Sequence, residues 1–509
     1  MDCLLVHTIM RSENISFHPI MPMGFLSMAD YLNRSGVSCE VINLGVEYSL
    51  NPNFSIIGYI NGSDVKVVGI DLHWYLHSYS AIELCKEIKE KTSASVVLGG
   101  YTASFFAEDI LNTRPEVDAV IRGDGEAPLL QYVQKILSSD KDFSTLPNLV
   151  YRSNGQVMQS NHFHRSSEKE LSGFNFANVD LLKNWKRYTE ISVGSPTVIY
   201  TDIRKPIDHI FYLSTGRGCS QTCIYCGGSN HSCKVLTGHN GAVFRNPENV
   251  LWEIKELVKR GIRIFFIEYD PYPMSRSYYI HLFNRIREEK LDIGVNFGCW
   301  SLPSNEMLDA FASTFDLQYS CIVISPGSGS EEIRKRNRQG VFYANEELYE
   351  KFNYMKKKHI YGTASFIIGI PGETKSHFRQ TIEMIDSLKK YDVDAVGFAC
   401  KLEPGSPMFL TPEMFGVQLY RHSFNDYYEH TRALTLSLPT EHPLGFRTEH
   451  LSEKDIIRLQ FEAYRKSRFR ARYFISRIRN LKRMNRMNFF AFLAVLFNSQ
   501  YILQKVQRE

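Results

Sequence analysis

The stretch Gly216-Arg217-Gly218-Cys219-Ser220-Gln221-Thr222-Cys223-Ile224-Tyr225-Cys226-Gly227-Gly228-Ser229 constrains this chain more than any other. Three cysteines spaced C-x3-C-x2-C sit in a glycine-flanked loop, directly after the apolar, strand-like run Ile210-Phe211-Tyr212-Leu213. Cysteine thiolates are the usual ligands of iron–sulfur clusters, and a cubane cluster normally takes four of them. Three from one tight loop leave one iron without a protein ligand, the open position that a catalytic metal keeps for its substrate. A zinc site with Cys233 as fourth thiolate is the alternative, although zinc ligands usually come as two separated pairs.

Strand and helix patterns alternate on both sides of this loop. In residues 1–140, strands are predicted over 3–8, 39–44, 65–72, 95–98 and 119–122, and helices over 25–34, 80–91, 103–112 and 128–137. Such alternation argues for a doubly wound parallel sheet, whose ligands bind beyond the carboxyl ends of its strands. That edge carries the loops 10–24 and 73–77, Gly99-Gly100-Tyr101, and Gly123-Asp124-Gly125-Glu126. Gly99 and Gly100 either let a bulky ligand approach the backbone or only make a tight turn. Residues 141–208 read as a connector, with a hairpin turning at Asn154-Gly155 and a weak helix over 179–187. From 209 to 408 the alternation resumes. Strands are predicted before the cysteine loop and over 262–269, 294–299, 319–325, 362–370 and 395–402, giving six parallel units. The tail, 409–509, reads as helical and aromatic, basic from Tyr464 to Arg486 and apolar over 489–496.

At 509 residues the chain should hold two or three domains. A net charge of +4 is small for this length and does not argue for a nucleic-acid partner. Ten cysteines outside any paired framework read as reduced thiols of a cytoplasmic protein. No basic region precedes the first apolar run, so it reads as a buried strand and not a signal peptide. No apolar run reaches the ~18 residues needed to span a bilayer.

With the aromatic Tyr225 just before its last cysteine, the motif resembles the signature of the radical S-adenosylmethionine (SAM) enzymes. The resemblance implies a [4Fe-4S] cluster on Cys219, Cys223 and Cys226, whose open iron chelates the amino and carboxylate groups of SAM. An electron from the cluster then cleaves SAM to a 5′-deoxyadenosyl radical. The second half resembles the partial (β/α)6 barrel of that family, with its active site at the carboxyl ends of the strands. Glu268 and Asp270 at the second strand end are implied to face the SAM amine. Ser325, opening Ser-Pro-Gly-Ser-Gly-Ser, is implied to contact ribose and carboxylate. Of Arg334, Arg336 and Arg338, one is implied to pair with the methionine carboxylate, and Arg336 is the candidate; a solvated helix face is the alternative. Gly369 in Gly-Ile-Pro-Gly-Glu-Thr and the turn Glu403-Pro404-Gly405-Ser406-Pro407 match strands five and six, and Gly227-Gly228 would let adenine lie against the backbone.

The first domain resembles the cobalamin-binding domain that precedes many radical SAM cores. This rests on Met23-Gly24, Gly99-Gly100 and the Gly123-to-Glu126 loop, and these residues with His73 are implied to line the cofactor. The loop after the first strand lacks the D-x-H-x-x-G motif that supplies a histidine to cobalt. Asp71-Leu72-His73 reproduces three of its letters after the third strand, so His18, His73 and His77 read as loop histidines and not ligands. The expected fold is α/β: a Rossmann-like doubly wound sheet, a partial (β/α)6 barrel and a helical C-terminal region. The implied function is a cobalamin-dependent radical SAM methyltransferase acting on an unactivated carbon. A radical rearrangement, cyclisation or dehydration is the alternative, and a non-catalytic zinc-stabilised binding protein the remote one. The implied partners are a small-molecule or lipid-like substrate and an external electron donor such as flavodoxin or ferredoxin. The basic tail either caps the barrel or lies on an anionic membrane surface.

Overall fold

The computed structural model describes residues 1–9, 21–188, 210–271, 273–339 and 342–467; His18, the basic stretch beyond 467 and the apolar run at 489–496 lie outside them. Five parallel strands form the first sheet in the order Cys39–Asn43, Cys3–His7, Val67–Asp71, Ser95–Gly99, Ala119–Ile121. They are nearly continuous apolar runs, as strands covered on both faces must be. The strand order reverses at Cys3–His7, which makes the carboxyl end of that strand the switch point where such sheets bind ligands.

The hairpin expected in the connector does not stand apart from this sheet. Leu149–Ser153 pairs antiparallel with Ala119–Ile121, and Gln156–Gln159 follows, so the sheet has seven strands. Leu149, Val150 and Tyr151 are buried there and cover an edge that would otherwise be open. The weak helix over 179–187 is two 3-10 turns, Val179–Leu181 and Trp185–Arg187, and the helix over 103–112 is split into Tyr101–Phe105 and Ala107–Thr113. Two short helices, Leu44–Leu50 and Ile56–Gly62, were not anticipated.

The second sheet is parallel throughout and runs in chain order: Ile210–Tyr212, Ile264–Ile267, Gly294–Cys299, Cys321–Gly327, Tyr361–Ile368, Val393–Ala399. Its helices are well specified locally. Pro247–Lys259 starts on Asn246, whose side chain accepts the Glu248 N–H at 2.9 Å, and has Pro247 in its first turn. It buries Val250, Leu251, Ile254 and Leu257, the spacing of one helical face.

The described part of the tail is only partly helical. An antiparallel pair, Val417–Leu419 with Phe446–Thr448, brackets the helix Phe424–Thr435, and the helix Glu453–Ser467 follows it. Ala463 of the last helix packs on Gly397, where an added Cβ would stand 3.0 Å from it, so this helix braces the last barrel strand. Phe424–Thr435 turns back to the first domain and packs on the helix Ser78–Lys91. Thr431 Oγ1 accepts the Tyr79 N–H at 3.0 Å, and the Tyr428 hydroxyl donates to Glu83 at 2.7 Å. Among the described residues no helix is long and apolar enough to cross a membrane.

Candidate active site

The cysteine loop is pinned on several sides. Gly216–Cys219 pairs antiparallel with Gly241–Phe244, and Thr222–Cys223 with Arg338–Gln339. Ile224 donates its N–H to Asn337 O at 3.1 Å and accepts the Met408 N–H at 2.9 Å. Ser229 then caps the helix Asn230–Thr237, its hydroxyl accepting the Ser232 N–H at 3.3 Å. Burial pushes the Cys219 and Cys226 thiols up to about 12. Two backbone donors oppose this: Gln221 N–H reaches Cys219 Sγ at 3.3 Å and Gly228 N–H reaches Cys226 Sγ at 3.4 Å. A buried thiol with amides aimed at its sulfur is poised to ionise on a metal, the chemistry a cluster ligand needs, although among the described residues no three such side chains are gathered as a metal site. Cys233 is engaged elsewhere. Its thiol donates to Gly228 O at 3.4 Å and lies 3.2 Å from the Tyr101 hydroxyl.

The strand ends sort the remaining candidates. Glu268 is solvent-accessible and has no hydrogen-bond partner among the described residues, yet desolvation by the surrounding walls raises its pKa. Asp270 is buried and already accepts the Trp300 N–H at 2.8 Å, so Glu268 alone of the pair offers a free carboxylate. Ser325 contributes its carbonyl to Arg338, which also donates to Trp300 O. Arg336, the sequence candidate, is exposed and lies across the Gly372 turn, its Nη1 2.6 Å from where a Gly372 Cβ would stand. The arginine at the loop is Arg338, only 7% exposed. The reason is local geometry: Arg336 is on the helix Glu331–Asn337, whereas Arg338 begins the short strand paired with Cys223. Gly369 turns with φ +85° against Ile456 and donates its N–H to Glu373 at 2.6 Å, so it shapes the turn behind the site. Tyr225 lies against Gly327, and the Cβ position of Gly228 is open except for Cys226 Sγ at 3.9 Å. The sequence places Glu403 only in a turn. Its Cβ would stand 3.0 Å from a Cβ on Gly227, and burial raises its pKa, so it overhangs the loop as a second carboxyl group.

At the switch point of the first sheet lies a cavity of about 270 Å³ with apolar walls from Leu5, Phe25, Met28, Val97 and Leu129. Gly24 and Gly99 line it with room to spare. A Cβ on Gly24 meets nothing within 4 Å, and one on Gly99 meets only Ile121 O at 3.7 Å. Gly100 lines it too, but its Cβ would stand 2.7 Å from His73 Cα, so this glycine is also required by a crossing of two backbones. His73 sits at the lip between Trp74 and Tyr101, with ring centroids 4.6 and 5.0 Å away, and burial lowers its pKa. His7 also lines the cavity, its Nδ1 2.6 Å from Asp71 Oδ2, a pair the sequence reading missed. Burial works against the Asp71 carboxylate, but the neighbouring His7 holds its pKa below the usual range. Their only sequence signal was their place at two adjacent strand ends. Gly123 borders the cavity on one side and Thr237 on the other, where its Cβ would meet Thr237 Cβ at 3.0 Å. Glu126 does not face the cavity. It is 1% exposed and paired with Arg217 of the cysteine loop, Nη1 to Oε2 3.0 Å. Free glycine positions in an apolar slot fit the tail of a corrinoid, and the Tyr101–Cys233 contact joins that slot to the cysteine loop.

Comparison with known proteins agrees with this arrangement. A family model for the radical SAM superfamily matches residues 213–385, and one for the B12 binding domain matches residues 17–133. The chain is 27% identical over 326 residues to the uncharacterized methyltransferase PH0819 of Pyrococcus horikoshii, covering 63% of each. It is 23% identical over 312 residues to the anaerobic magnesium-protoporphyrin IX monomethyl ester cyclase of Cereibacter sphaeroides, covering 60% of this chain and 47% of that one. The chain thus spans 63% and 47% of the lengths of these curated relatives. The radical SAM methyltransferase TsrM of Kitasatospora setae, solved with cobalamin and a [4Fe-4S] cluster, superposes with a TM-score of 0.65 over 100% of this chain and 99% of that one. At 14% identity this is likeness of fold. The two family models thus follow the order of the two sheets: the chain carries a B12-binding domain, which implies cobalamin, followed by a radical SAM domain, which implies a [4Fe-4S] cluster and SAM.

Proposed function

We propose that this enzyme is a methyltransferase that acts on an unactivated carbon of a small molecule. The observation that carries the reading is the meeting of the two carboxyl edges. Tyr101, next to the cavity-lining Gly100, lies 3.2 Å from Cys233 of the helix that follows the cysteine loop, so groups held in the two places would be neighbours. When bound there, the cluster and SAM supply a radical that takes a hydrogen atom from the substrate, and cobalamin supplies the methyl group. The chain's own part is placement. Cys219, Cys223 and Cys226 hold the cluster, and the free carboxylate of Glu268 receives the SAM ammonium. Arg338 presents positive charge beside Cys223, and Gly228 leaves an open backbone face for adenine, whereas Gly227 is covered by Glu403 and Pro404. Gly24 and Gly99 keep the corrinoid slot open, and the helix Glu453–Ser467 braces the last barrel strand through Ala463 on Gly397. An external one-electron donor of the flavodoxin or ferredoxin type would reduce the cluster in the cytoplasm. A lipid-like substrate and surface contact through the basic tail belong to the same reading.

The test needs no knowledge of the substrate. Protein reconstituted anaerobically and supplied with cobalamin should carry roughly one corrinoid per chain. Given reductant and SAM alone, it should release S-adenosylhomocysteine up to the amount of corrinoid, with slow 5′-deoxyadenosine beside it. Deoxyadenosine without S-adenosylhomocysteine, in corrinoid-loaded protein, would assign a rearrangement or cyclisation instead.

A further inference from the structure

The loop Gly123-Asp124-Gly125-Glu126 is shared by both halves of the enzyme, and its residues alternate between them. Gly123 and Gly125 line the switch-point cavity. Asp124 and Glu126 turn the other way and hold the radical core. Glu126 takes the Arg217 guanidinium, Asp124 Oδ1 lies 3.4 Å from the same group, and Asp124 Oδ2 lies 3.0 Å from His239 Nε2. Arg217 is two residues before Cys219 and in the same short strand, and its carbonyl accepts the Tyr269 hydroxyl at 2.5 Å. Tyr269 lies between Glu268 and Asp270, so one residue ties the first-sheet loop to the cluster loop and to the second barrel strand end.

Glu126 is also tied to the cavity. Ser27 Oγ donates to Glu126 Oε1 at 2.7 Å, and Ser27 is on the helix Met23–Arg34, whose Met23, Gly24, Phe25 and Met28 form one cavity wall. Met28 presses on the loop itself, its Cε 2.7 Å from where a Gly125 Cβ would stand. A carboxylate that is 1% exposed and bonded to both Ser27 and Arg217 cannot follow one without moving against the other, because an unpaired charge there is costly.

We infer that Glu126 and Arg217 are positioning residues that couple the corrinoid cavity to the cluster loop, so that each cofactor is bound more tightly when the other is in place. This rests on the reading of the cavity as the corrinoid site. The coupling is reciprocal, as any linkage between two binding equilibria must be.

The experiment titrates hydroxocobalamin into the full chain, following quenching of tryptophan fluorescence, since Trp74 lines the cavity. It compares protein reconstituted with iron and sulfide against the same protein left without a cluster. Wild type should bind the corrinoid at least ~5-fold more tightly when the cluster is present, within the usual range of coupling between sites. Glu126→Gln removes the charge and should bring the ratio below about 2-fold, near the independence of uncoupled sites. Ser27→Ala leaves the ion pair intact and guards against a variant that fails to fold; it should lower the ratio while the cluster absorbance stays at the wild-type level. Equal affinities with and without the cluster in wild type would overturn the inference, as would an undiminished ratio in Ser27→Ala or in folded Glu126→Gln. Wild type that binds no corrinoid in either state would instead overturn the assignment of the cavity.

Discussion

Gly100→Ala tests the division of labour among the cavity glycines. The residue has φ +102° and ψ 175°, a conformation essentially reserved for glycine, and occupying it with alanine costs about 1–3 kcal/mol. The added methyl would stand 2.7 Å from His73 Cα and N and 2.9 Å from Leu72 C, all backbone atoms that no rotamer change relieves. Forcing such a shift costs about 1–3 kcal/mol more, so the substitution should remove about 4 kcal/mol from a domain that has about 5–15 to lose. In calorimetry of the full chain, the transition of the first domain should fall by roughly 10 °C, at a few degrees per kcal/mol. Gly24→Ala and Gly99→Ala place their methyls in open space and should melt within about 2 °C of wild type, a shift of under ~1 kcal/mol, while taking up less hydroxocobalamin. Gly100→Ala that melts with wild type but loses corrinoid would refute the argument and leave the cavity wall as the only role of Gly100.

Three further outcomes are expected. Alanine at Cys219, Cys223 or Cys226 should abolish the brown absorbance of the reconstituted cluster, whereas Cys233→Ala should keep it, because that thiol bonds to Gly228 O and Tyr101. SAM affinity should fall as pH drops through the Glu268 pKa, since burial raises that pKa and only the ionised carboxylate pairs with an ammonium. Glu268→Gln should weaken binding about 10–100-fold by equilibrium dialysis and flatten the pH profile, as expected for loss of a charge-assisted hydrogen bond. Glu253→Gln should destabilise the core by about 3–5 kcal/mol in denaturant melts, because it leaves the fully buried Arg245 without its carboxylate.

The sequence alone determined the parts whose information is local. The cysteine triple, the alternation of apolar runs and helices, and the motifs at strand ends are properties of neighbouring residues. The strands they predicted over 3–8, 95–98 and 294–299 stand within a residue of Cys3–His7, Ser95–Gly99 and Gly294–Cys299. Periodicity also ordered the six barrel strands, because parallel units joined by helices have few ways to connect. What a side chain faces was decided by the tertiary structure. Arg338 and not Arg336 reaches the loop because the chain leaves its helix between them and pairs with Cys223. Gly100 and Glu126 look alike in a string of glycines and acids, but Gly100 lines the cavity while crossing the His73 backbone, and Glu126 turns to Arg217, ninety-one positions away. The hairpin joined the first sheet because Ala119–Ile121 offered a free edge, and His7 met Asp71 because two strands sixty-four residues apart are neighbours. Strand and helix follow from the period of apolar residues along the chain, whereas the direction and partner of a single polar group follow from which distant segments are packed against it.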